Sequence, residues 1–331
     1  MMRHLLCWLI LIPLYILSLL PLCIHHLNAG MMAWLARVVI RYRRDVVRSN
    51  LAASFPEKSE REREKIAREF YVYLADIFCE SIWSLTRPPK FIRRMGVCRT
   101  ENPEILDNAL ALHKGVVILL GHTGNWELMG GLPDYSPYKE PFTSKIGTVA
   151  YKTMTNKTSE LLFKYIRLAN NSASKTGVIA SNRILRFIIE HKGEDRIYFF
   201  SSDQCPDKNA KYVRTFLNQP AKWSAGGAYI ANKFEMPVLY MYIDRRGRGK
   251  YRIRYTLIAE DASKTGMDYV INEYIRLLEK DIRSNPSNWL WSHRRWKLKI
   301  DENEKDIHRL DGNTVGGALP EGRSANAVKP S

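Results

Sequence analysis

His122 and Glu127 are the residues of this sequence whose types and spacing best suit chemistry. They stand five apart in GVVILLGHTGNWELMGG. A histidine can take a proton from a hydroxyl, and a carboxylate can hold its second ring nitrogen protonated while the first acts as base. The hydroxyl of another molecule would then be the nucleophile. The spacing alone is a weak signal: eight histidines in a chain with 34 acidic residues among 331 give about 0.8 such pairs by chance, and this is the one present. A turn histidine beside a helix-dipole carboxylate explains the pair equally well without context.

The elements that must position the pair follow from the pattern around it. Val116 to Leu120 reads as a buried strand, so His122 falls just past its carboxyl end, where open α/β sheets bind ligands. Residues five apart on one regular helix point about 140° away from each other, so a contact requires His122 to lie in the turn before the helix. Gly124 permits such a turn. Asn125 is the candidate cap of a helix over 125–130, which puts Glu127 in its first turn. Asp203 and Gln204 follow another apolar run, IYFFSS, and fall at the same kind of strand end.

Beyond the motif, 197–200 and 237–243 read as buried strands and 251–258 as a more exposed one. Helical stretches fall near 103–113, 155–169, 182–191, 221–234 and 267–282. A longer helix runs from about Ser59 to Leu85, opened by a capping-box spacing of Ser59 and Glu62 and closed by Pro88 and Pro89. Strand and helix alternate without an internal repeat. The fold class is therefore α/β, with a largely parallel central sheet flanked by helices.

The N-terminus differs in kind. Leu5 to Ile24 carries no charge for twenty residues, the length a helix needs to cross a bilayer core, and predicts an apolar membrane-anchor helix within 1–30. A cleaved signal peptide competes with a retained anchor, but Ile24-His25-His26-Leu27 is not a small-residue cleavage site. Pro13 and Pro21 leave tilted, re-entrant and monotopic arrangements open beside a full span. Arg37, Arg41, Arg43, Arg44 and Arg48 outnumber Arg3 upstream, which places the body on the cytoplasmic side. A body over 31–300 and a Gly-, Ser-, Asn- and Pro-rich tail over 301–331, expected to be disordered, complete the chain.

Composition bounds the partners. The hydrophobic fraction of 45% excludes wholesale disorder, and a net charge of +17 implies attraction to anionic lipid, nucleic acid or an acidic carrier protein without choosing among them. Five cysteines with no C-x-x-C pair argue against a disulfide framework or structural zinc. NWLWSHRRWK mixes Trp289, Trp291 and Trp296 with cations, which suits a membrane interface or a packed core segment equally. The absence of G-x-S-x-G disfavours a serine-elbow esterase.

GHTGNWE resembles the H-x-x-x-x-D/E motif of the lysophospholipid acyltransferase superfamily. The ordered landmarks YRRDVVRSNLAASFPE, HTGNWE, FKYIRLANN, SSDQCPD and NWLWSHRRWK resemble its lipid A late acyltransferase branch, of the lauroyl and myristoyl transferase type, over residues 5 to 297. That resemblance implies transfer of a fatty acyl chain from an acyl-carrier-protein thioester, or alternatively acyl-CoA, to a hydroxyl of a lipid A precursor, in lipopolysaccharide biosynthesis. It implies His122 as general base oriented by Glu127, with Arg167, Asp203, Gln204 and Asn125 binding substrate. No metal or cofactor is implied, and no nucleic-acid partner. The site would face the cytoplasm from the bacterial inner membrane. Another glycolipid, aminolipid or glycerophospholipid acceptor stays open, as does a non-catalytic basic membrane-surface protein. KNAKYVRTFLNQPA after SSDQCPD departs from the commoner glycine-rich continuation, which puts the substrate pocket in doubt.

Overall fold

The computed structural model describes residues 2–136, 146–151, 156–169, 177–298 and 300, so the tail expected to be disordered lies outside the described residues. Its strands are β1 (Cys98–Thr100), β2 (Val116–Leu120), β3 (Ile146–Tyr151), β4 (Gly177–Ala180), β5 (Arg196–Ser201), β6 (Tyr212–Phe216), β7 (Gln219–Trp223), β8 (Val238–Gly247) and β9 (Lys250–Ala259). The helices are α1 (Met2–Ser18), α2 (Leu22–Trp34), α3 (Arg44–Ser54), α4 (Glu60–Ser84), α5 (Pro89–Arg94) and α6 (Pro103–Leu110). They continue with α7 (Leu132–Tyr135), α8 (Lys157–Ala169), α9 (Ile184–Glu190), α10 (Gly226–Lys233), α11 (Ala262–Thr265) and α12 (Met267–Ser284).

Seven strands form one sheet in the order β1-β9-β8-β2-β5-β3-β4. All neighbours run parallel except β8 and β9, a hairpin closed by Arg248 and the left-handed Gly249 (φ 63°). The mixed sheet with flanking helices is the expected fold class. β2 is buried at every position because it is covered on both faces: Val117 and Leu119 point into one apolar layer, Val116, Ile118 and Leu120 into the other. This explains why its sequence shows no polar alternation.

Helix α4 begins as the capping box predicts, with Ser59 accepting from the Glu62 N–H and the Glu62 carboxylate accepting from the Ser59 N–H at 2.8 Å. It lies against the sheet layer and carries Tyr73, Asp76 and Glu80 inward. Two expectations are corrected. The stretch over 125–130 is a tight, three-residue-per-turn helix (Trp126–Gly131) and not a regular α-helix. The front of the helix expected over 221–234 is instead strand β7, paired with β6 around a two-residue turn in which Leu217 and Asn218 both have positive φ. RSNLAAS forms the body of α3.

The apolar N-terminal run is not one helix. It breaks between Ser18 and Leu22, and Leu6–Ser18 and Leu22–Val39 form a pair bent by 119°; among the described residues no single helix is long and apolar enough to cross a membrane. Pro21 is the sequence cause, since the residue before a proline is pushed out of helical backbone. Arg87 stabilises the break by donating to the carbonyls of Ser18, Leu19 and Leu20.

Candidate active site

The site forms where β2 and β5, neighbouring and parallel, both end. Leu120 pairs in register with Ser201, so His122 and Asp203, each two residues further on, emerge side by side. The turn that follows β2 is tight at two glycines. A Cβ on Gly121 would lie 2.7 Å from the Leu278 side chain, and one on Gly124, whose φ is +56°, would lie 2.6 Å from the Ile243 carbonyl oxygen. The conformation expected of Gly124 is thus the one observed.

Asp203 grips His122 twice. One carboxylate oxygen lies 2.6 Å from His122 Nδ1 and the other accepts the His122 backbone N–H at 2.8 Å. The Trp289 indole N–H donates to the second oxygen at 2.9 Å. The carboxylate is almost fully buried, while the imidazole keeps 18% of its side chain exposed. Its remaining nitrogen, Nε2, is 3.2 Å from the Gln204 amide nitrogen, which donates when Nδ1 carries the proton.

The charges reinforce this arrangement. Burial opposes a charged imidazole, but the adjacent Asp203 charge and hydrogen bond, helped by Glu127, raise the His122 pKa above its ordinary value. Burial likewise opposes the Asp203 charge, yet His122 and the Trp289 donor outweigh it and bring the carboxyl down to about 2.

Glu127 is hydrogen-bonded to partners other than His122. Its two oxygens accept from Arg167 Nε at 2.9 Å and Nη2 at 3.0 Å, a bidentate fork, and one also accepts from the Trp126 indole at 3.1 Å. The Trp126 ring stands edge-on to His122 with centroids 5.1 Å apart. Among the described residues no hydrogen bond joins His122 to Glu127; the expected His–Glu contact is replaced by His–Asp. The reason is geometric: Asp203 arrives in register from the neighbouring strand, whereas Glu127 on the tight helical turn reaches α8.

Asn125 takes the N-cap position expected of it, but its side chain makes no capping hydrogen bond. Its amide donates to Glu80 Oε2 at 3.0 Å and so anchors the turn to α4. Tyr73 of α4 donates to the Gly124 carbonyl at 2.8 Å, and Asn288 accepts the Gly124 N–H at 2.9 Å. Sequence reasoning missed Tyr73, Glu80 and Asn288. Their one signal is polarity at inward positions of an apolar helix or beside the tryptophan segment.

That tryptophan segment is part of the core. Trp289 and Trp291 are buried and packed edge-to-face, which rules out the membrane-interface reading for them. His293 accepts the Cys205 N–H at 3.0 Å, and burial lowers its pKa to about 4, fitting an uncharged acceptor. Arg295 is buried against the Trp223 ring at 4.3 Å, and burial lowers its pKa to about 10. One trio of candidate metal ligands, His26, Asp76 and Glu80, has donor atoms within 4.8 Å of one another. Both Asp76 oxygens already accept from Arg245 and Arg248, so guanidinium groups hold the positions a cation would take.

A buried carboxylate hydrogen-bonded to a partly exposed histidine at the carboxyl ends of two parallel strands is an arrangement that can support base-assisted group transfer. The family model for the bacterial lipid A biosynthesis acyltransferases matches residues 1–298, and the chain belongs to that family. It is similar to a lipid A biosynthesis palmitoleoyltransferase of Escherichia coli K12, 23% identical over 267 residues, covering 80% of this chain and 82% of the relative. A lipid A biosynthesis acyltransferase of Shigella flexneri matches to the same extent.

Proposed function

We propose that the chain moves a fatty acyl group from an acyl-carrier-protein thioester to a hydroxyl of a lipid A precursor, at the cytoplasmic face of the bacterial inner membrane. The observation that carries this reading is the Asp203–His122 pair. With Nδ1 held by Asp203 at 2.6 Å, Nε2 is the basic nitrogen. It takes the acceptor's hydroxyl proton as that oxygen attacks the thioester carbonyl. The new C–O bond forms, the C–S bond breaks, and the carrier's sulfur leaves with the proton returned from the imidazolium. No acyl-enzyme is required.

Glu127 takes a different part from the one its spacing suggests. Its bidentate hold fixes Arg167 beside the imidazole's neighbour Trp126, and the guanidinium charge there suits the acceptor's phosphate or the developing oxyanion. A net charge of +17 suits an acidic carrier protein and also the phosphates of acyl-CoA, so acyl-CoA is the comparison substrate.

The test is incubation of the purified chain with acyl-carrier protein and lipid A precursor, with product mass as the readout. One added acyl chain in ester linkage is expected, with loss on His122→Ala. No transfer to any hydroxylated lipid from either donor would overturn the proposal.

A further inference from the structure

We infer that Arg295 is a positioning residue for the transfer reaction, whose buried guanidinium supplies the fixed positive charge against which the Asp203–His122 pair works. This deepens the proposed function and rests on that pair being its base. The segment NWLWSHRRWK carries two adjacent arginines of opposite fate: Arg294 is exposed, whereas Arg295 is 1% exposed.

Burying a guanidinium is costly unless it is paired. The other two buried arginines among the described residues have carboxylates at hand, Arg196 with Glu194 and Arg214 with Asp268. Arg295 does not: its Nε, Nη1 and Nη2 all lack a hydrogen-bond partner among the described residues. What holds it is a box of rings. The guanidinium lies 4.3 Å from the centre of the Trp223 ring and 6.0 Å from that of Phe216. A buried charge seated in this way calls for a role outside hydrogen bonding.

The ring box leads to Asp203. The Phe216 and Trp289 rings are 5.7 Å apart, Trp289 and Trp296 are 6.1 Å apart, and the Trp289 indole N–H donates to Asp203 at 2.9 Å. The backbone agrees. Trp289 bridges to Thr123, the residue after His122, and His293 accepts the Cys205 N–H at 3.0 Å, so the segment meets both loops of the site. Asn50 of α3 fixes it by donating to the carbonyls of Trp291 and His293 at 2.9 and 3.0 Å. The indole N–H groups of Trp223 and Trp296 also lack acceptors among the described residues, so the polar groups of the box are all donors.

The surrounding charges fix the sign of the effect. Burial opposes the Arg295 charge; Asp203 steadies it most, followed by Cys205 and Tyr274, and His293 lies within its field. Around His122, Asp203 and Glu127 favour the protonated ring, Arg167 opposes it, His293 stands nearby, and Tyr73 of α4 reaches the His122 carbonyl. Asp203 therefore acts on two cations, an imidazole that gains and loses its proton and a guanidinium that keeps its own. A fixed positive charge favours ionised Asp203 and disfavours the imidazolium. It limits how far Asp203 raises the base and leaves Nε2 free closer to neutral pH.

The experiment follows His122 by NMR titration of the histidine-labelled full-length chain in detergent, its signal identified among the eight histidines by its absence in His122→Ala. Arg295→Met, which keeps the bulk and removes the charge, is expected to move the His122 midpoint up by about half a unit or more, and Arg295→Lys to return most of that shift. Acyl transfer below the midpoint should fall about threefold or more in Arg295→Met and recover at higher pH, with KM unchanged. An unmoved midpoint, or an Arg295→Lys chain that titrates like Arg295→Met, overturns the inference. Failure of both Arg295→Met and Arg295→Gln to fold overturns it too, since the charge would then serve the fold. The titration needs no substrate, so it is decided separately from the transfer assay on which the proposed function rests.

Discussion

Asp203 and Asp76 are both buried carboxylates with at least three donor contacts, but their partners differ. Asp203 faces an imidazole, a backbone N–H and an indole. Asp76 faces the guanidinium groups of Arg245 and Arg248. An imidazole can give up and regain its proton near neutral pH, so its acid partner is suited to orient a base, as proposed for Asp203. A guanidinium keeps its charge, so Asp76 ties α4 to the β8–β9 hairpin and moves no proton. Burial alone therefore does not mark a catalytic acid; the partner does.

The largest expected effect breaks the reactive pair. His122→Ala removes the base, and Asp203→Asn leaves the ring without its anionic partner. Each is expected to lower transfer by about a thousandfold or more, with the helical content and the membrane-bound fraction unchanged. Asp203→Asn within tenfold of wild type would show that the carboxylate does not orient the ring. Asp76→Asn should do the reverse. Removing one partner of a buried ion pair costs about 3–5 kcal/mol, so denaturant unfolding in detergent should shift strongly while folded enzyme keeps most of its rate. A rate loss as large as that of Asp203→Asn, at unchanged stability, would erase the distinction.

How much was legible in the sequence follows from which contacts are local. The β2 strand, the turn at Gly124 and the histidine's place beyond the strand could be read because apolar runs and glycines act over a few residues. The capping box of α4 was legible for the same reason. Asp203 was found as a site residue but not as the partner of His122, because the pairing depends on the register of β2 with β5, which joins residues 81 apart in sequence. Glu127 was given that role by the resemblance, and the tight turn after Asn125 instead carries its carboxylate to Arg167 of α8. Tyr73 and Glu80 were hidden because a helix facing a polar turn resembles one facing a core until the turn is in place. The β6–β7 hairpin was missed because Leu217 gives no turn signal.

Glu127 gives a sharper test of the comparison, since its partner is a guanidinium but its place is beside the base. Glu127→Gln should release Arg167 from its bidentate hold and lower transfer by about 10- to 100-fold, as misplacement of a binding group does. Its charge also helps raise the His122 pKa, so the midpoint of the pH–rate profile should move to lower pH. A loss equal to that of His122→Ala with no such movement would return Glu127 to the orienting role.

The smallest expected effect is the pH dependence of the wild type. A base must be neutral, so transfer should rise with pH through the His122 pKa, which lies above 6.5 because the Asp203 charge and hydrogen bond overcome burial. A midpoint below 6.5 would mean that the base is not this imidazole. Stability runs with the opposite sign. His122 binds its proton more tightly when folded, so its contribution is complete below pH 6.5 and is lost as pH rises through the raised value. Asp203, held at about 2, contributes fully above its unfolded value near 3.8 and loses that contribution as pH falls toward 2. The pair should therefore be most stabilising between about pH 4 and 6.5, on the acid side of its working range. Unfolding curves taken across that window, for wild type and Asp203→Asn, should draw closer by the His122 share as pH rises past the midpoint of the rate profile, while the share that Asp203 owes to the His122 backbone N–H and the Trp289 indole persists. Parallel curves would separate the stabilising pair from the catalytic one.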